Sequence, residues 1–269
     1  MKKTLAFLVS VFLCFSCVSV DLRKTGQVSP VLSGYETPSL KEQAVAGHWI
    51  TRPSDNTITI IGVSNPMTKR DAEITSAQED AARKAAMYHG IQGSIVSFHR
   101  IGASFFDYVD NSTILLDYDT DYAKYIDRLM FDPERDVVIT DGAVFVRFKY
   151  AAEAPFIDFN SVNENGRPQW TYNRNLPQID GYVSAVGFAQ NQARLKDTIK
   201  KSTEAAVVRI IDDMAVTVKT SDKAKAGRGA SSQIHAKSEG KLDNFQVIEF
   251  WIDPKTKYVY TLAIAKKSN

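Results

Sequence analysis

The two cysteines, Cys14 and Cys17, are the residues whose position most clearly indicates a chemistry, the covalent modification of a thiol. They lie at the end of an apolar run, Leu5–Phe15, which follows Lys2 and Lys3. A basic head followed by a short apolar run is typical of a secretory signal peptide, whereas a membrane-spanning helix needs about 20 apolar residues. We therefore expect the N-terminus to direct export, with the thiols beside its cleavage point.

A cysteine that closes such a run resembles a bacterial lipoprotein signal, in which the cysteine becomes the first mature residue and carries acyl chains such as palmitate. Cys17 is the better candidate because small Ser16 precedes it, whereas bulky Leu13 precedes Cys14. The common signal has leucine three residues before the cysteine, and here that position is Cys14; such relaxed signals are known among spirochaete lipoproteins. We expect residues 1–16 to be a signal peptide and Cys17 to be the lipid attachment site. The alternative is an ordinary signal peptide with incidental cysteines.

The charge balance argues against a nucleic-acid partner. The 269-residue chain has 33 Lys and Arg against 31 Asp and Glu, and its two excess positive charges, Lys2 and Lys3, belong to the signal. The mature chain is therefore neutral. One segment, Lys219–Lys241, is locally basic and could touch anionic lipid. We favour a solvated hairpin loop, because no aromatic residue interleaves these lysines as a nucleic-acid platform requires.

The acidic segment Asp117–Asp121 mimics the first ligands of a calcium-binding loop. A calcium loop also needs glycine at its sixth position and glutamate at its twelfth, and here those residues are Tyr122 and Arg128. We therefore interpret this segment as a polar insertion between strands. The histidines have no zinc-ligand spacing; they are His48, His89, His99 and His235. The sequence predicts no catalytic residue, metal or cofactor.

The segment after the signal mixes Ser, Gly, Pro and charged residues without periodicity. We interpret residues 17–46 as a lipidated, flexible tether. A coil of this length spans roughly 30 Å, which would hold the folded part away from the membrane surface.

The folded part contains a weak internal repeat at a constant offset of 125 residues. Both units have the same order: a tryptophan, an extended run ending near glycine, a long helix, and then strands. The tryptophans are Trp49 and Trp170. The identical pairs are Gly62 and Gly187, Ile74 and Ile199, Glu79 and Glu204, and Ala81 and Ala206.

Hydrophobic periodicity predicts one long helix in each unit. In the first, apolar residues recur at steps of three and four between Ile74 and Tyr88, with Thr68 and Asp71 as a capping box and Gly90 as the stop. In the second, no Gly or Pro interrupts residues 192–218, although 216–218 is predicted to begin a strand. The other predicted strands are Thr57–Val63, Ser94–Phe105, Val137–Tyr150, Gln246–Ile252 and Tyr258–Ala265.

This pattern predicts an α+β fold of two tandem modules, each with a long helix packed on a curled antiparallel sheet. We place the first module at residues 47–150 and the second at 167–269. Residues 151–166, which contain Pro155 and Gly166, are the linker between them.

The second module resembles the twenty-kilodalton lipoprotein family of bacterial envelopes, named for a Helicobacter membrane-associated lipoprotein. The matching residues are Pro168, Trp170, Gly187, Trp251, Asp253, Tyr260, Leu262 and Ala263. The first module matches less well: Trp49 and Gly62 are present, but the closing Trp-x-Asp is absent. The resemblance implies a structural signature of Trp49, Gly62, Trp170, Gly187, Trp251 and Asp253, none of them catalytic.

These observations predict a non-catalytic envelope lipoprotein that acts as a binding or assembly module. Its expected partners are a lipid bilayer, reached through acylated Cys17, and other envelope proteins. We expect the chain on the periplasmic side of the outer membrane rather than on the cell surface. One alternative is a surface-exposed lipoprotein that contacts host molecules. Another is an enzyme with a convergent site around His99 and residues 107–121.

Overall fold

The structure of the protein is a computed structural model. The described residues are 38–52, 56–101, 106–107, 113–155, 157, 159, 163–164, 166–219 and 233–267. The expected signal peptide, Cys17, the tether as far as residue 37 and most of the basic segment Lys219–Lys241 lie outside them.

The helices are α1 (Leu40–Ala46), α2 (Arg70–His89), α3 (Ala123–Ile126) and α4 (Leu195–Lys219), with a 3-10 helix at Gln169–Tyr172. The strands are β1 (His48–Ile50), β2 (Thr57–Ser64), β3 (Ile91–Ile101), β4 (Phe106–Asp107), β5 (Thr113–Asp117), β6 (Leu129–Met130), β7 (Val137–Ile139), β8 (Val144–Ala151), β9 (Asn163–Glu164), β10 (Arg167–Pro168), β11 (Tyr182–Ala189), β12 (Gln233–Ile252) and β13 (Val259–Lys267). Across the described part of the chain, no helix combines the length and apolarity needed to span a membrane.

Two antiparallel sheets confirm the predicted α+β class. The large sheet has the strand order β11-β13-β12-β3-β4, with β1 added to β12 and β5 added to β3. The small sheet has the order β2-β8-β6, with β7 added to β8. Strands β9 and β10 form a separate short ribbon.

Helix α2 packs on the small sheet through small side chains. Ala77, Ala81 and Ala85 are fully buried against β2 and β8. The helix ends at Gly90 as predicted, but it begins at Arg70 without a side-chain cap, so the expected Thr68 capping box is wrong. Glu73 replaces it, because its carboxylate accepts the Met67 N–H at 2.6 Å.

Helix α4 packs on the large sheet and is longer than predicted. Its buried side chains include Val207, Ile210 and Ile211. Residues 216–218, expected to begin a strand, continue the helix as far as Lys219. The high β-propensity of valine is outweighed here because no Gly or Pro interrupts the helix.

The expected tether also differs from the structure at its end. Residues 40–46 form α1, whose capping box is made by Ser39 and Glu42. Leu40 is fully buried, and the Gln43 side chain accepts the Ile50 N–H at 2.7 Å. The folded unit therefore begins at Pro38 rather than at residue 47.

The offset of 125 residues recurs in the contacts of both β-α units. A Cβ on Gly62 would lie 2.1 Å from the Ala77 carbonyl oxygen, and one on Gly187 would lie 2.0 Å from the Ser202 carbonyl oxygen. Both glycines therefore let a strand touch the backbone of the following helix at equivalent positions.

A basic side chain repeats at the same offset. Lys84 Nζ donates to the Ile61 carbonyl at 2.6 Å, and Arg209 Nη1 donates to the Val186 carbonyl at 2.7 Å. In each unit a long cation on the helix therefore reaches the strand residue just before the glycine.

The two expected modules nevertheless are not separate, and the tandem arrangement is not confirmed. Strand β3, which follows the first long helix, pairs with β12 from Ile91 to Arg100. Strand β1 also pairs with β12. Residues assigned to the first module therefore complete the sheet of the second.

Candidate binding surface

A row of aromatic side chains crosses the face of the large sheet opposite α4. Phe188 on β11 pairs with Tyr260 on β13, Tyr260 pairs with Trp251 on β12, and Trp251 pairs with His48 on β1. Side chains at paired positions of antiparallel strands lie on the same face. The ring centroids of Phe188 and Tyr260 are 6.1 Å apart, and those of Tyr260 and Trp251 are 5.7 Å apart.

Arg167 covers the middle of this row. Its guanidinium carbon lies 4.0 Å from the ring centroid of Tyr172, 4.6 Å from that of Tyr260 and 5.4 Å from that of Trp251. Its Nε donates to the Thr171 hydroxyl at 2.7 Å, which fixes the plane of the guanidinium. A planar cation stacked on several rings is a stable cation–π arrangement.

The row opens to solvent at β11. Phe188 is 46% exposed and Tyr172 is 48% exposed. Arg209 crosses from α4 to this end, where its guanidinium carbon lies 6.0 Å from the Phe188 ring centroid. An open groove of about 290 Å³ lies between these side chains. We call Arg167, Tyr172, Phe188, Arg209 and Tyr260 the aromatic–arginine surface.

Glu249 lies at the buried end of the row and holds it in place. Its side chain is fully buried, and its carboxylate accepts hydrogen bonds from His48 Nε2 at 2.7 Å, Trp170 Nε1 at 2.8 Å and Arg52 Nε at 3.0 Å. Burial alone would raise the pKa of Glu249, but the hydrogen bond from His48 and the charge of Arg52 outweigh it, so the pKa is lowered. The group is therefore an ionised carboxylate at neutral pH.

A β-bulge turns Glu249 toward this face. The register of β12 against β13 shifts by one residue between Val247 and Glu249. Ile248 consequently packs with Trp170 and Trp251, whereas Phe250 packs on the other side with Trp49. Ile248 and Phe250 therefore face opposite sides of the sheet although they are two residues apart, because the extra residue in a bulge breaks the two-residue period.

We call Glu249 and its three donors, His48, Arg52 and Trp170, the Glu249 clamp. This clamp also positions the exposed end of the surface. Trp170 and Tyr172 belong to the same 3-10 helix, Gln169–Tyr172. The bond from Trp170 to Glu249 fixes this short helix on the sheet, and the helix in turn places Tyr172 under Arg167. The Glu249 carboxylate is engaged by three donors, so it serves to hold the neighbouring side chains in place. The arrangement is therefore that of a preformed binding surface.

Of the six signature residues expected from the sequence, two lie beside the candidate surface and four lie elsewhere. Trp170 and Trp251 belong to the buried side of the surface. Trp49 lies between the sheets, 4.1 Å from the Phe145 ring centroid and 5.6 Å from that of Phe250. Asp253 closes the turn after β12 by accepting the Lys255 N–H at 2.8 Å and the Thr256 N–H at 3.1 Å. Gly62 and Gly187 are the helix contacts described above.

The acidic segment Asp117–Asp121 is engaged in local contacts. The Asp119 carboxylate accepts the Asp121 N–H at 3.0 Å and the Tyr125 hydroxyl at 3.1 Å, and it pairs with Lys124. Among residues that the structure describes, no group of three or more His, Cys, Asp or Glu side chains could hold a metal ion.

The histidines are dispersed. His48 belongs to the Glu249 clamp, and His89 lies on the small-sheet side, where its Nε2 is 2.7 Å from the Tyr150 hydroxyl. The side chains of His99 and His235, and with them the alternative catalytic site around His99, lie outside the described residues.

Sequence reasoning missed Arg52, Arg167, Phe188, Arg209 and Glu249. Glu249 alone had a local signal, since it is the one charged residue in the apolar stretch Val247–Ile252. The other four residues had no such signal. They come together through strand register and because the Arg209 side chain crosses the sheet edge, and neither effect produces a periodic pattern in the sequence.

No protein-family model, curated protein or solved structure matches the chain. The resemblance to the twenty-kilodalton lipoprotein family therefore stays a prediction.

Proposed function

We propose that this chain is a non-catalytic lipoprotein of the bacterial cell envelope that binds another envelope protein. Acylated Cys17 would anchor it in the outer membrane, on the periplasmic side, and the aromatic–arginine surface would be its binding site. The basic and apolar N-terminus supports the anchor.

The observation that carries the binding role is the composition of the exposed surface. Tyr, Trp and Arg are the residues most enriched where protein interfaces gain their binding energy. Here Tyr172 and Phe188 present about half of their area to solvent beside Arg167 and Arg209. Binding of a partner that covers the rings of such a surface and leaves the arginines at the rim is favourable in free energy.

The rigidity of the support favours binding as well. Three donors from two separate segments converge on Glu249, and one of them fixes the helix that carries Tyr172. A surface ordered before binding loses little side-chain entropy when it is covered. The arrangement therefore suits a constitutive docking site rather than a segment that folds on contact.

Site-specific photo-crosslinking in intact cells tests the binding role. A photoreactive amino acid replaces Tyr172, and the matched control replaces Met130, which is 56% exposed on the small sheet. We expect a discrete protein adduct from position 172 and none from position 130. Arg167→Ala in the same background should weaken the adduct, because the aromatic stack loses its central cation. Equal adducts from both positions, or no adduct from 172, would contradict the proposal.

Mass spectrometry of the mature N-terminus tests the anchor separately. We expect the chain to begin at Cys17 and to carry acyl chains, and Cys17→Ser should release it from the membrane fraction. An unmodified N-terminus would overturn the lipoprotein proposal while leaving the binding surface to be judged by the crosslinks.

A further inference from the structure

Arg167 is a cation that forms no ion pair with any side chain that the structure describes. Its Nε donates to the Thr171 hydroxyl, and its guanidinium lies over the rings of Tyr172 and Tyr260. A guanidinium has five N–H donors, so four remain on its outer edge. None of these four reaches an acceptor in the described part of the chain. The side chain is half-buried, so this edge can be reached from solvent.

The acidic residue on which Arg167 acts is held elsewhere. Burial would raise the pKa of Asp253, but hydrogen bonds from two N–H groups of the following turn lower it, and the charge of Arg167 adds to this lowering. The Asp253 carboxylate therefore serves its own turn. Arg209 differs from Arg167, because it donates to a carbonyl of β11 and its charge acts on Asp213. Arg167 thus carries the charge on this surface that is left for a partner.

A guanidinium held in this way is suited to a carboxylate. Its planar fork matches the two oxygens of a carboxylate, and such a bidentate pair is stronger than a neutral hydrogen bond. Because the rings and the bond to Thr171 already order the side chain, little rotamer entropy is lost on pairing. Tyr172 beside it is 48% exposed, which suits an apolar side chain next to the acid. Arg174, two residues after Tyr172, is also exposed and adds a second positive charge.

We propose that the partner docks through an acidic and apolar segment, whose Asp or Glu side chain forms a bidentate ion pair with Arg167 while a neighbouring apolar side chain covers Tyr172. This inference rests on the proposed function and specifies the chemistry of the partner. Charge complementarity of this kind speeds association and rejects partners that present a cation at the same place.

Isothermal titration of the purified full chain, in detergent, with two short capped peptides tests the ion pair. One peptide is Gly-Glu-Phe-Glu-Gly, and the other has glutamine in place of both glutamates. We expect the acidic peptide to bind about tenfold more tightly or better, because the neutral one cannot form charge-assisted hydrogen bonds. Added salt should reduce this difference. Equal affinities, or no binding of either peptide, would overturn the proposal, and this comparison does not depend on the folding of any variant.

Substitutions assign the preference to one side chain. Arg167→Gln should abolish it, and Arg167→Lys should keep only part of it, since an ammonium lacks the planar fork. The matched control is Arg135→Gln, in the turn before β7, where the side chain is 83% exposed. This variant should bind both peptides as the original chain does. An undiminished preference in Arg167→Gln would contradict the proposal.

Glu164 provides a further control, because it is the strand neighbour of Arg167 in the β9–β10 ribbon. Its side chain lies outside the described part of the structure. Glu164→Gln should leave the affinity for the acidic peptide unchanged. A tenfold gain would show that Arg167 is already paired within the free chain, and would overturn the proposal.

The crosslinks at position 172 separate this inference from the proposed function. A discrete adduct at 172 together with equal peptide affinities would reject the acidic partner and leave the docking site standing. Absence of the adduct would reject the docking site itself. Tighter binding of inorganic phosphate than of the acidic peptide would assign Arg167 to a phosphate ligand, which also overturns the proposal.

Discussion

Glu249 is a buried carboxylate that joins two separate segments: residues 48–52, through His48 and Arg52, and the 3-10 helix, through Trp170. Removing one partner of a buried ion pair leaves the other charge without compensation, which is costly. Among single residues, Glu249 is therefore the most important: its side chain lines no open site, but it holds in place the surface that we assign to binding.

Glu249→Gln should destabilise the fold by about 3 kcal/mol, because the guanidinium of Arg52 stays buried without its counter-charge. Urea unfolding monitored by circular dichroism measures the change. The control is Glu204→Gln, whose carboxylate is 3.9 Å from Lys200 and partly exposed. That variant should change stability by less than about 0.5 kcal/mol. A Glu249→Gln variant as stable as the control would refute the clamp.

Glu249 should also contribute to acid sensitivity. Its pKa is lowered in the folded state, so its contribution to stability is complete above the unfolded pKa of about 4.3 and is lost as pH falls toward the folded pKa. Unfolding free energies measured between neutral and strongly acidic pH should therefore fall less steeply in Glu249→Gln than in the original chain. Parallel curves would show that the carboxylate does not titrate differently on unfolding.

Element-scale packing depends on two glycines that touch helix backbones. Gly62→Ala should drive a methyl group into the carbonyl of Ala77, and Gly187→Ala should do the same at Ser202. Because backbone cannot move aside as a side-chain tip can, each variant should lose about 2 kcal/mol or more of unfolding free energy.

Thermal unfolding of both glycine variants measures the loss. Gly142→Ala is the control, because its added methyl would meet only Leu195 side-chain carbons at 3.9 Å and beyond. Similar losses at residues 62 and 187, with little change at 142, would show that the 125-residue offset relates two equivalent β-α units. A tolerated substitution at either glycine would refute that equivalence.

The sequence predicted best those helices and strands in which apolar residues recur at a regular spacing. Alanines at helical spacing and Gly90 predicted α2, and the run Thr57–Val63 predicted β2. The errors have local physical causes. Glu73, rather than Thr68, bonds the backbone before α2, and buried contacts of Leu40 ordered a segment whose composition resembles a linker.

At the scale of the whole folded unit, the described strands are interlocked rather than divided into two modules. Strand β12 pairs with β13 at one end and with β3 at the other, and β1 also joins it. The repeat in the sequence predicted two units with the right internal order. It could not show which sheet each strand joins, because register between distant strands is set by packing that no local pattern records.

A fragment of residues 47–150 should therefore fail to fold alone, because β1 loses its partner strand and β3 loses β12, with which it pairs over ten residues. Scanning calorimetry should show no cooperative transition for this fragment and a single transition for the full chain. Addition of a second fragment, residues 151–269, should restore a cooperative transition. A fragment 47–150 that unfolds cooperatively on its own would instead support two independent modules.

The length of β12 has a consequence for the order of folding. His48 and Glu249 are 201 residues apart in the chain, yet their side chains are in contact. Topologies dominated by such distant pairings fold slowly. Because a chain emerges from its N-terminus first, β1 has no partner strand, and β3 lacks its longest partner, until residues 233–252 have appeared. The small sheet can form from the first half of the chain alone, whereas the large sheet cannot be completed until synthesis is almost finished.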